Sequence, residues 1–237
     1  MNRTDIADVP WWKRVPSLDD LECKPIEWLI QDFIPVGSLV LLAGQPGTYK
    51  SWLALDAARA VATGSSFAGM KAGPAGEVLY FDRENGQNLI AWRKRQLNLG
   101  QIPNLRYHGR WVSLPMPSIG STELLRYAAD VKPLMIFDSL VRFHRHEENS
   151  NSEMSRIMNA FLELARKGAT VLLLHHAGKD QSKNYRGAME IEAAPDLCYK
   201  VTRTDRLVRL AQFKNRITEE KTIELRFTTL GFEAVGG

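Results

Sequence analysis

A buried strand that leads through a glycine-containing turn into a helix constrains this chain more than any other stretch. Residues 39–43 form an unbroken apolar run, which is typical of a central strand covered on both faces. A helical pattern then begins at Lys50 and continues to about Ala62. In such a strand–turn–helix, the N–H groups of the turn and of the helix N-terminus point inward and can hold phosphate oxygens. The segment expected to do so is Gly44-Gln45-Pro46-Gly47-Thr48-Tyr49-Lys50-Ser51-Trp52.

Two side chains of this loop suit a nucleoside triphosphate. Lys50 would neutralise the β- and γ-phosphates of ATP, and Ser51 would be a ligand of the accompanying Mg²⁺. The loop departs at one position from the strict pattern of Gly, four residues and Gly-Lys-Ser/Thr, because Tyr49 precedes Lys50. If φ must be positive there, a tyrosine is strained by about 1–2 kcal/mol. The departure bears on turnover more than on binding, and a strand–turn–helix that binds nothing stays open as the alternative.

Strand and helix patterns alternate through most of the 237 residues. Further strands are expected at 77–81, 134–137 and 170–174, helices at 88–97, 122–130 and 151–165, and antiparallel strands at 197–203, 206–213 and 222–229. The alternation implies right-handed crossovers. It predicts an α/β fold with a mainly parallel, twisted sheet flanked by helices and with antiparallel strands at the C-terminal end. In such sheets, ligands bind beyond the carboxyl ends of the strands.

The N-terminus differs from the rest of the chain. Residues 1–24 have no helical or strand period and are expected to form an arm, whereas residues 25–237 are expected to form one ATPase domain. The arm carries two adjacent tryptophans, Trp11 and Trp12. Such side chains need a surface to bury against. That surface belongs either to this domain or to a neighbouring subunit, and the neighbour is slightly favoured.

The composition predicts a soluble cytoplasmic protein. Hydrophobic residues make up 44% of the chain and charged residues 24%, which is typical of a globular domain. Cys23 and Cys198 lie far apart and outside any Cys-x-x-Cys, which favours free thiols in a reducing compartment. No apolar run approaches the ~20 residues of a membrane span. The N-terminus also lacks a signal-sequence pattern, so no membrane association is expected.

Acidic and imidazole side chains stand at the ends of three expected strands. Asp138 can hold the Mg²⁺ water shell opposite Ser51, with a turn-capping aspartate as the alternative. Glu84 can orient a water in line with the γ-phosphate, and Asp82 is the competing candidate. His176 is expected to contact the γ-phosphate as a sensor, with a core histidine or a metal ligand as the alternatives.

The order of these motifs resembles that of the RecA-fold ATPases. The phosphate loop is followed by strands that end in Phe-Asp-Arg-Glu, Met-Ile-Phe-Asp-Ser and Leu-Leu-Leu-His-His. The arrangement looks most like the RepA-type helicases of plasmids and phages and the related DnaB-type replicative helicases. The segment 34–39, before the loop, is also similar. The resemblance covers roughly residues 26–230 and implies a RecA-like P-loop NTPase core.

The resemblance also implies roles for individual residues. Glu84 matches the catalytic glutamate, Asp138 the Mg²⁺-associated aspartate and His176 the histidine sensor of that group. Lys214 and Arg216 resemble a Lys-x-Arg finger that enters the ATP site of the neighbouring subunit, where it would stabilise charge on the transferred phosphoryl group. A plain basic strand edge is the alternative for this pair.

Two DNA-facing loops are implied at residues 142–153 and 177–188. Basic side chains there would track the phosphates of single-stranded DNA, and a tyrosine would stack on a base. The DNA-binding candidates are Arg142, Arg145, Lys179, Lys183, Tyr185 and Arg186. Basic stretches at 91–110 and 179–216 also suit an anionic polymer. Solvated surface cations are the alternative, and a contact of Arg186 with a neighbouring subunit stays open.

Together these features predict a Mg-ATP-dependent, oligomeric DNA motor, a hexameric replicative helicase of RepA type from a plasmid or phage. Its cofactors would be ATP and Mg²⁺, and its partners single-stranded DNA and further copies of the chain. A second hypothesis is a RecA- or KaiC-like regulatory ATPase that assembles on ATP without unwinding, which Tyr49 slightly favours. A third is a P-loop kinase for a small molecule, against which the antiparallel strands and the Lys-x-Arg pair count.

Overall fold

A nine-stranded sheet forms the centre of the part of the chain that the structure describes. The structure is a computed structural model, and it describes residues 10–144, 150–176 and 189–235. The strands are β1 (Trp28–Ile30), β2 (Ile34–Pro35), β3 (Leu39–Gly44), β4 (Val78–Asp82), β5 (Leu105–His108), β6 (Leu134–Asp138), β7 (Thr170–His176), β8 (Leu197–Thr204), β9 (Leu207–Asn215), β10 (Thr222–Thr228) and β11 (Gly231–Ala234). The helices are α1 (Lys50–Thr63), α2 (Gln87–Gln96), α3 (Thr122–Val131), α4 (Asn151–Arg166) and α5 (Glu190–Ala193).

The strands of this sheet follow the order β11-β10-β9-β8-β3-β7-β6-β4-β5, and β1 and β2 form a separate antiparallel pair. The six strands from β8 to β5 in this order are parallel, and β9, β10 and β11 continue the sheet in antiparallel fashion. The expected α/β fold, mainly parallel with antiparallel strands at the C-terminal end, is confirmed.

One expectation for the C-terminal strands is wrong in part. Residues 197–203 were expected to be an antiparallel strand, but β8 pairs in parallel with β3 and is antiparallel only to β9. The chain between the end of β7 and the start of β8 returns to the opposite edge of the sheet, so β8 runs in the same direction as β3. The strand therefore also ends at the ligand-binding edge.

Both faces of the parallel strands are buried. On one face, Val40 and Leu42 of β3 belong to an apolar cluster with α1. On the other face, Leu39 and Leu41 belong to a cluster with α3 and α4. The two-sided cover explains why β3 is an unbroken apolar run without alternation.

Four short strands were missed by the sequence reasoning. β1 and β2 have only three and two residues, too few for a period to be visible. β5 contains polar residues in its sequence Leu-Arg-Tyr-His and lies at the edge of the sheet, and β11 follows directly after β10. Strands of this length are fixed by pairing with neighbours rather than by local propensity.

The described part of the arm does not pack on the domain. Residues 10–27 are all exposed, and the side chains of Trp11 and Trp12 are 68% and 60% exposed. Two short 3₁₀ turns, at Trp11–Arg14 and Leu18–Asp20, are the secondary structure of this stretch. In the described ranges, no helix is both long and apolar enough to cross a membrane.

Candidate nucleotide-binding site

The expected site residues meet at one edge of the sheet because neighbouring parallel strands end at the same level. Gly44 of β3 pairs with His176 of β7, and Asp82 of β4 pairs with Asp138 of β6. A cleft of about 270 Å³ opens above these strand ends. Its lining is Pro46, Gly47, Tyr49, Lys50, Ser51, Trp52, Glu84, Asn85, Arg93, Asp138, His176 and Arg203. The loop and the strand-end groups therefore share one cavity.

Close packing fixes the shape of the loop. A Cβ atom on Gly44 would lie 2.5 Å from the carbonyl oxygen of Val201 on β8, so only glycine fits there. Gly47 has a φ of +83°, a conformation that favours glycine. The hydroxyl of Thr48 donates to the carbonyl oxygen of Gln45 at 2.8 Å and closes the turn. The loop is thus held in a tight curl against β8.

Lys50 is buried under this curl. Its Nζ atom donates to the carbonyl oxygens of Gly44 and Gln45 at 2.8 and 2.9 Å, and the residue is 6% exposed. Burial lowers the pKa of Lys50 to about 8, and the nearby carboxylates of Asp138 and Glu84 offset part of that effect. An ammonium group has three N–H donors. Two are used by the loop carbonyls, so one remains for an anion in the cleft.

Asp138 and Ser51 form the candidate metal pair. Asp138, at the end of β6, is 2% exposed and is hydrogen-bonded to Ser51. The hydroxyl of Tyr80 donates to its Oδ2 atom at 3.0 Å. Burial, and next the charge of Asp82, raise the pKa of Asp138 to about 6. A hydroxyl oxygen beside a carboxylate is a donor set that fits Mg²⁺.

The structure separates the two acids that follow β4. Both oxygens of Asp82 are occupied: Oδ1 accepts from the backbone N–H groups of Glu84 and Asn85 at 2.8 and 2.9 Å. Its Oδ2 accepts from Asn85 Nδ2 at 2.9 Å and from the hydroxyl of Tyr107 at 2.6 Å. Asp82 therefore builds the turn that presents Glu84 to the cleft, and it is not placed to orient a water itself.

Glu84 is held by two donors. Its Oε1 atom accepts from Ser139 Oγ at 2.6 Å and lies 3.0 Å from Nε2 of His176. The hydrogen bond with His176, followed by that from Ser139, lowers the pKa of Glu84 to about 2. Among the described residues these contacts are all to Oε1, so Oε2 remains to orient a water. Glu84 is ionised at neutral pH, as a water-orienting carboxylate must be.

His176 links Glu84 to the segment that follows β7. Its Nε2 atom faces Glu84, while Nδ1 has no hydrogen-bond partner within the described ranges. This position beside the cleft is compatible with the expected sensor role. The described residues contain no cluster of three or more metal-ligating side chains, so nothing there favours the metal-ligand alternative for this histidine.

Lys214 and Arg216 lie at the opposite edge of the sheet. The Nζ atom of Lys214 donates to the carbonyl oxygens of Glu192 and Ala193 at 2.7 and 2.6 Å. Arg216 donates to the carbonyl oxygen of Ala193 at 2.7 Å. β9 is antiparallel to β8, so its end lies beside the start of β8, where Leu197 pairs with Asn215. The cations cannot reach the chain's own cleft, which leaves a neighbour's cleft or a local structural role.

Of the expected DNA-binding residues, only Arg142 lies within the described ranges. It stands in a 3₁₀ turn after β6, and its exposed side chain places Nε 3.9 Å from Oε1 of Glu84. The candidates Arg145, Lys179, Lys183, Tyr185 and Arg186 lie outside the described residues.

Two arginines of the cleft were missed by the sequence reasoning. Arg93, on α2, lies over the ring of Trp52 at 5.6 Å, and its Nε and NH1 atoms are buried without a hydrogen-bond partner in the described part of the chain. Arg203, at the end of β8, donates to the carbonyl oxygen of Gly47 at 3.1 Å. Arg93 was counted with a basic stretch expected to contact nucleic acid. Its buried, unpaired donors instead fit a phosphate in the cleft.

The pKa of Lys50 predicts how nucleotide affinity depends on pH. Above pH 8 the ammonium is largely neutral in the free protein, whereas bound phosphates favour its charged form, so binding must take up a proton. The affinity for ATP should therefore fall as pH rises from 7.5 to 9.5, by at most about tenfold per pH unit. Titration of a fluorescent ATP analogue at several pH values measures this. Lys50→Arg, which stays charged, is the control and should show a flat profile; a flat wild-type profile would contradict the assignment.

Substitution of the two acids tests their separate roles. Glu84→Gln should retain ATP binding and an unchanged melting temperature but lower the hydrolysis rate by about 10²-fold or more. Asp82→Asn should instead destabilise the fold by about 1–3 kcal/mol, because a buried acceptor is replaced by a donor facing donors. Phosphate release and thermal melts of both variants give the answer. Wild-type hydrolysis by Glu84→Gln would exclude Glu84 as the water-orienting group.

Comparison with known proteins agrees with this geometry. The profile of the AAA domain family AAA_25 matches residues 13–182, more than half of the chain. The solved structure of a helicase ATPase domain superposes with a TM-score of 0.62 at 14% sequence identity, covering 84% of this chain and 85% of that one. At this identity the superposition shows the fold alone. The chain therefore belongs to the AAA domain family, and its fold is that of a RecA-type P-loop ATPase.

Proposed function

We propose that this protein is an oligomeric, Mg-ATP-dependent DNA motor, a hexameric replicative helicase of RepA type from a plasmid or phage. The observation that carries the proposal is the convergence of Glu84, Asp138 and His176 on the cleft that contains Lys50. A phosphate loop alone indicates nucleotide binding. A water-orienting carboxylate joined to a histidine indicates hydrolysis with a means of reporting it.

The chain's own groups divide the chemistry of hydrolysis among them. The loop amides, Lys50 and Arg93 would hold the triphosphate, and Ser51 and Asp138 would hold Mg²⁺, which neutralises charge on the phosphate oxygens. Glu84 would orient a water in line with the γ-phosphorus. That water adds as the bond to ADP breaks. A carboxylate with a pKa of about 2 is a weak base, so its contribution lies in positioning.

Oligomerisation is supported by two features outside the cleft. The cations Lys214 and Arg216 lie at the sheet edge remote from the chain's own cleft, so a role in hydrolysis requires a neighbouring copy. The exposed side chains of Trp11 and Trp12 also lack a packing surface on their own domain, and such side chains favour burial at an interface. Both features fit a ring in which each subunit contributes to the site of the next.

Coupling to DNA is supported by where the expected DNA loops join the site. Arg142 begins the first loop and lies beside Glu84, and His176 directly precedes the second loop. Loss of the γ-phosphate would change the contacts of Glu84 and His176 together. A shift of that pair would pass to the two basic segments and move a bound single strand.

A regulatory ATPase of RecA or KaiC type remains the second candidate. Tyr49 favours it, because the residue has a φ of 69° where the family pattern has glycine. Strand displacement separates the two candidates, since a regulator would hydrolyse ATP without unwinding a duplex.

The central prediction is that single-stranded DNA stimulates ATP hydrolysis. The protein, sized by light scattering with and without ATP, should assemble with the nucleotide. Its hydrolysis rate should rise at least about tenfold with single-stranded DNA and fall again as salt increases. A forked duplex should be unwound under the same conditions. Hydrolysis that ignores DNA would reject the motor, and phosphate transfer to a small acceptor would select a kinase.

The position of Arg216 predicts complementation between two inactive variants. Glu84→Gln retains its finger, and Arg216→Ala retains its own cleft, so each should be nearly inactive alone. In a mixed ring, about a quarter of the interfaces would join an intact cleft to an intact finger, and hydrolysis should reappear. Mixing Glu84→Gln with Glu84→Gln/Arg216→Ala is the control and should stay inactive. Absence of recovery in rings shown to be mixed would assign Arg216 a local structural role.

A further inference from the structure

Tyr49 has a backbone conformation that an L-amino acid side chain rarely adopts. Its φ and ψ are 69° and 17°, in the left-handed region, and it is the N-cap residue of α1. A tyrosine there is disfavoured relative to glycine by roughly 1 kcal/mol or more. The conformation cannot be relaxed without moving Lys50, the next residue. Other contacts of the Tyr49 side chain must therefore hold the loop in place.

The guanidinium group of Arg203 supplies the closest of these contacts. Its Cζ atom lies 3.8 Å from the centroid of the Tyr49 ring, which is stacking distance. The same group donates through NH1 to the carbonyl oxygen of Gly47 at 3.1 Å and through Nε to that of Asp205. Arg203 thus joins the residue before Lys50, the other left-handed position of the loop and the turn after β8.

The Tyr49 ring also rests on side chains from the C-terminal strands. Phe227 of β10 lies 4.8 Å away between ring centroids, and Phe232 of β11 lies 6.5 Å away. Trp52 of α1 lies at 6.3 Å. A glycine at position 49 would have none of these contacts. The strain in the backbone is therefore offset by packing that only a large ring at this position can make.

We propose that Tyr49 and Arg203 form a stacked pair that holds the phosphate loop in its binding conformation before nucleotide arrives. Arg203 is then a positioning residue, acting on ATP through Gly47 and Tyr49. The inference rests on the proposed nucleotide site, and it names the device by which this chain keeps a tyrosine where the pattern has glycine. The competing account is a direct contact between Arg203 and the nucleotide, since Arg203 also lines the cleft.

A double-mutant cycle separates the two accounts. In the wild-type background, Arg203→Ala should raise the Kd and KM for ATP about tenfold, because both the stack and the Gly47 hydrogen bond are lost. The kcat should change much less, since Glu84 and Asp138 stand on other strands. In the Tyr49→Gly background the same change should cost about threefold or less, because no stack remains. Equal factors in both backgrounds would overturn the proposal in favour of direct contact.

Conservative variants and a neighbouring arginine sharpen the result. Tyr49→Phe keeps the ring and should keep wild-type affinity together with the full effect of Arg203→Ala. Arg203→Lys retains a cation over the ring and should recover part of the affinity. Arg206→Ala removes an exposed arginine of the same hairpin, and it should bind ATP within about twofold of wild type. An equal loss in Arg206→Ala would reduce the effect of Arg203 to general surface charge, and the proposal would fail.

Hydrogen exchange in the nucleotide-free protein tests the pair independently of binding. The amides of residues 47–50 should exchange faster in Arg203→Ala than in wild type or Arg206→Ala. Unchanged exchange would show that the pair does not preorganise the loop. If wild-type protein fails to bind ATP at all, the proposed function fails, whereas this measurement still decides whether Arg203 orders the loop.

Discussion

The buried ammonium of Lys50 is the interaction on which the rest of the site depends. Its bonds to the carbonyl oxygens of Gly44 and Gln45 close the loop around a positive charge. Burial makes that charge costly, as the lowered pKa shows, and an arriving anion relieves the cost. The loop is therefore a preformed receptor with a built-in preference for negative charge. The packing of Gly44 against β8 and of α1 against the sheet keeps it in that state.

Three carboxylates near this cation avoid mutual repulsion by being treated differently. Asp82 is surrounded by donors and serves the turn. Glu84 is kept ionised by His176 and Ser139, whereas Asp138 is buried beside Asp82 and has a raised pKa. A divalent cation next to Asp138 would favour its ionised form. The arrangement thus joins metal binding to the charge state of one acid and leaves Glu84 constant.

The sequence was sufficient for the parts of the fold that have strong local signals. The unbroken run of β3, the turn with Lys50 and the polar residues at strand ends located the cleft before any geometry was known. It was insufficient where neighbours decide: β5 and β11 carry too little pattern, and the choice between Asp82 and Glu84 depended on hydrogen bonds invisible in one dimension. Arg93 was misjudged because a run of basic residues does not reveal which of them points inward.

The β8–β9 hairpin relates the two ends of the proposed ring contact. At one edge of the sheet, Arg203 of β8 holds the phosphate loop. β9 then crosses the sheet, and at the other edge Lys214 and Arg216 face away from that loop. Nine residues of strand span roughly 30 Å, and a paired strand in mid-sheet is stiff. A change at the loop would therefore reach the finger by movement of one rigid hairpin. In a ring, that would make the state of one site felt at the next without any contact between the nucleotides themselves.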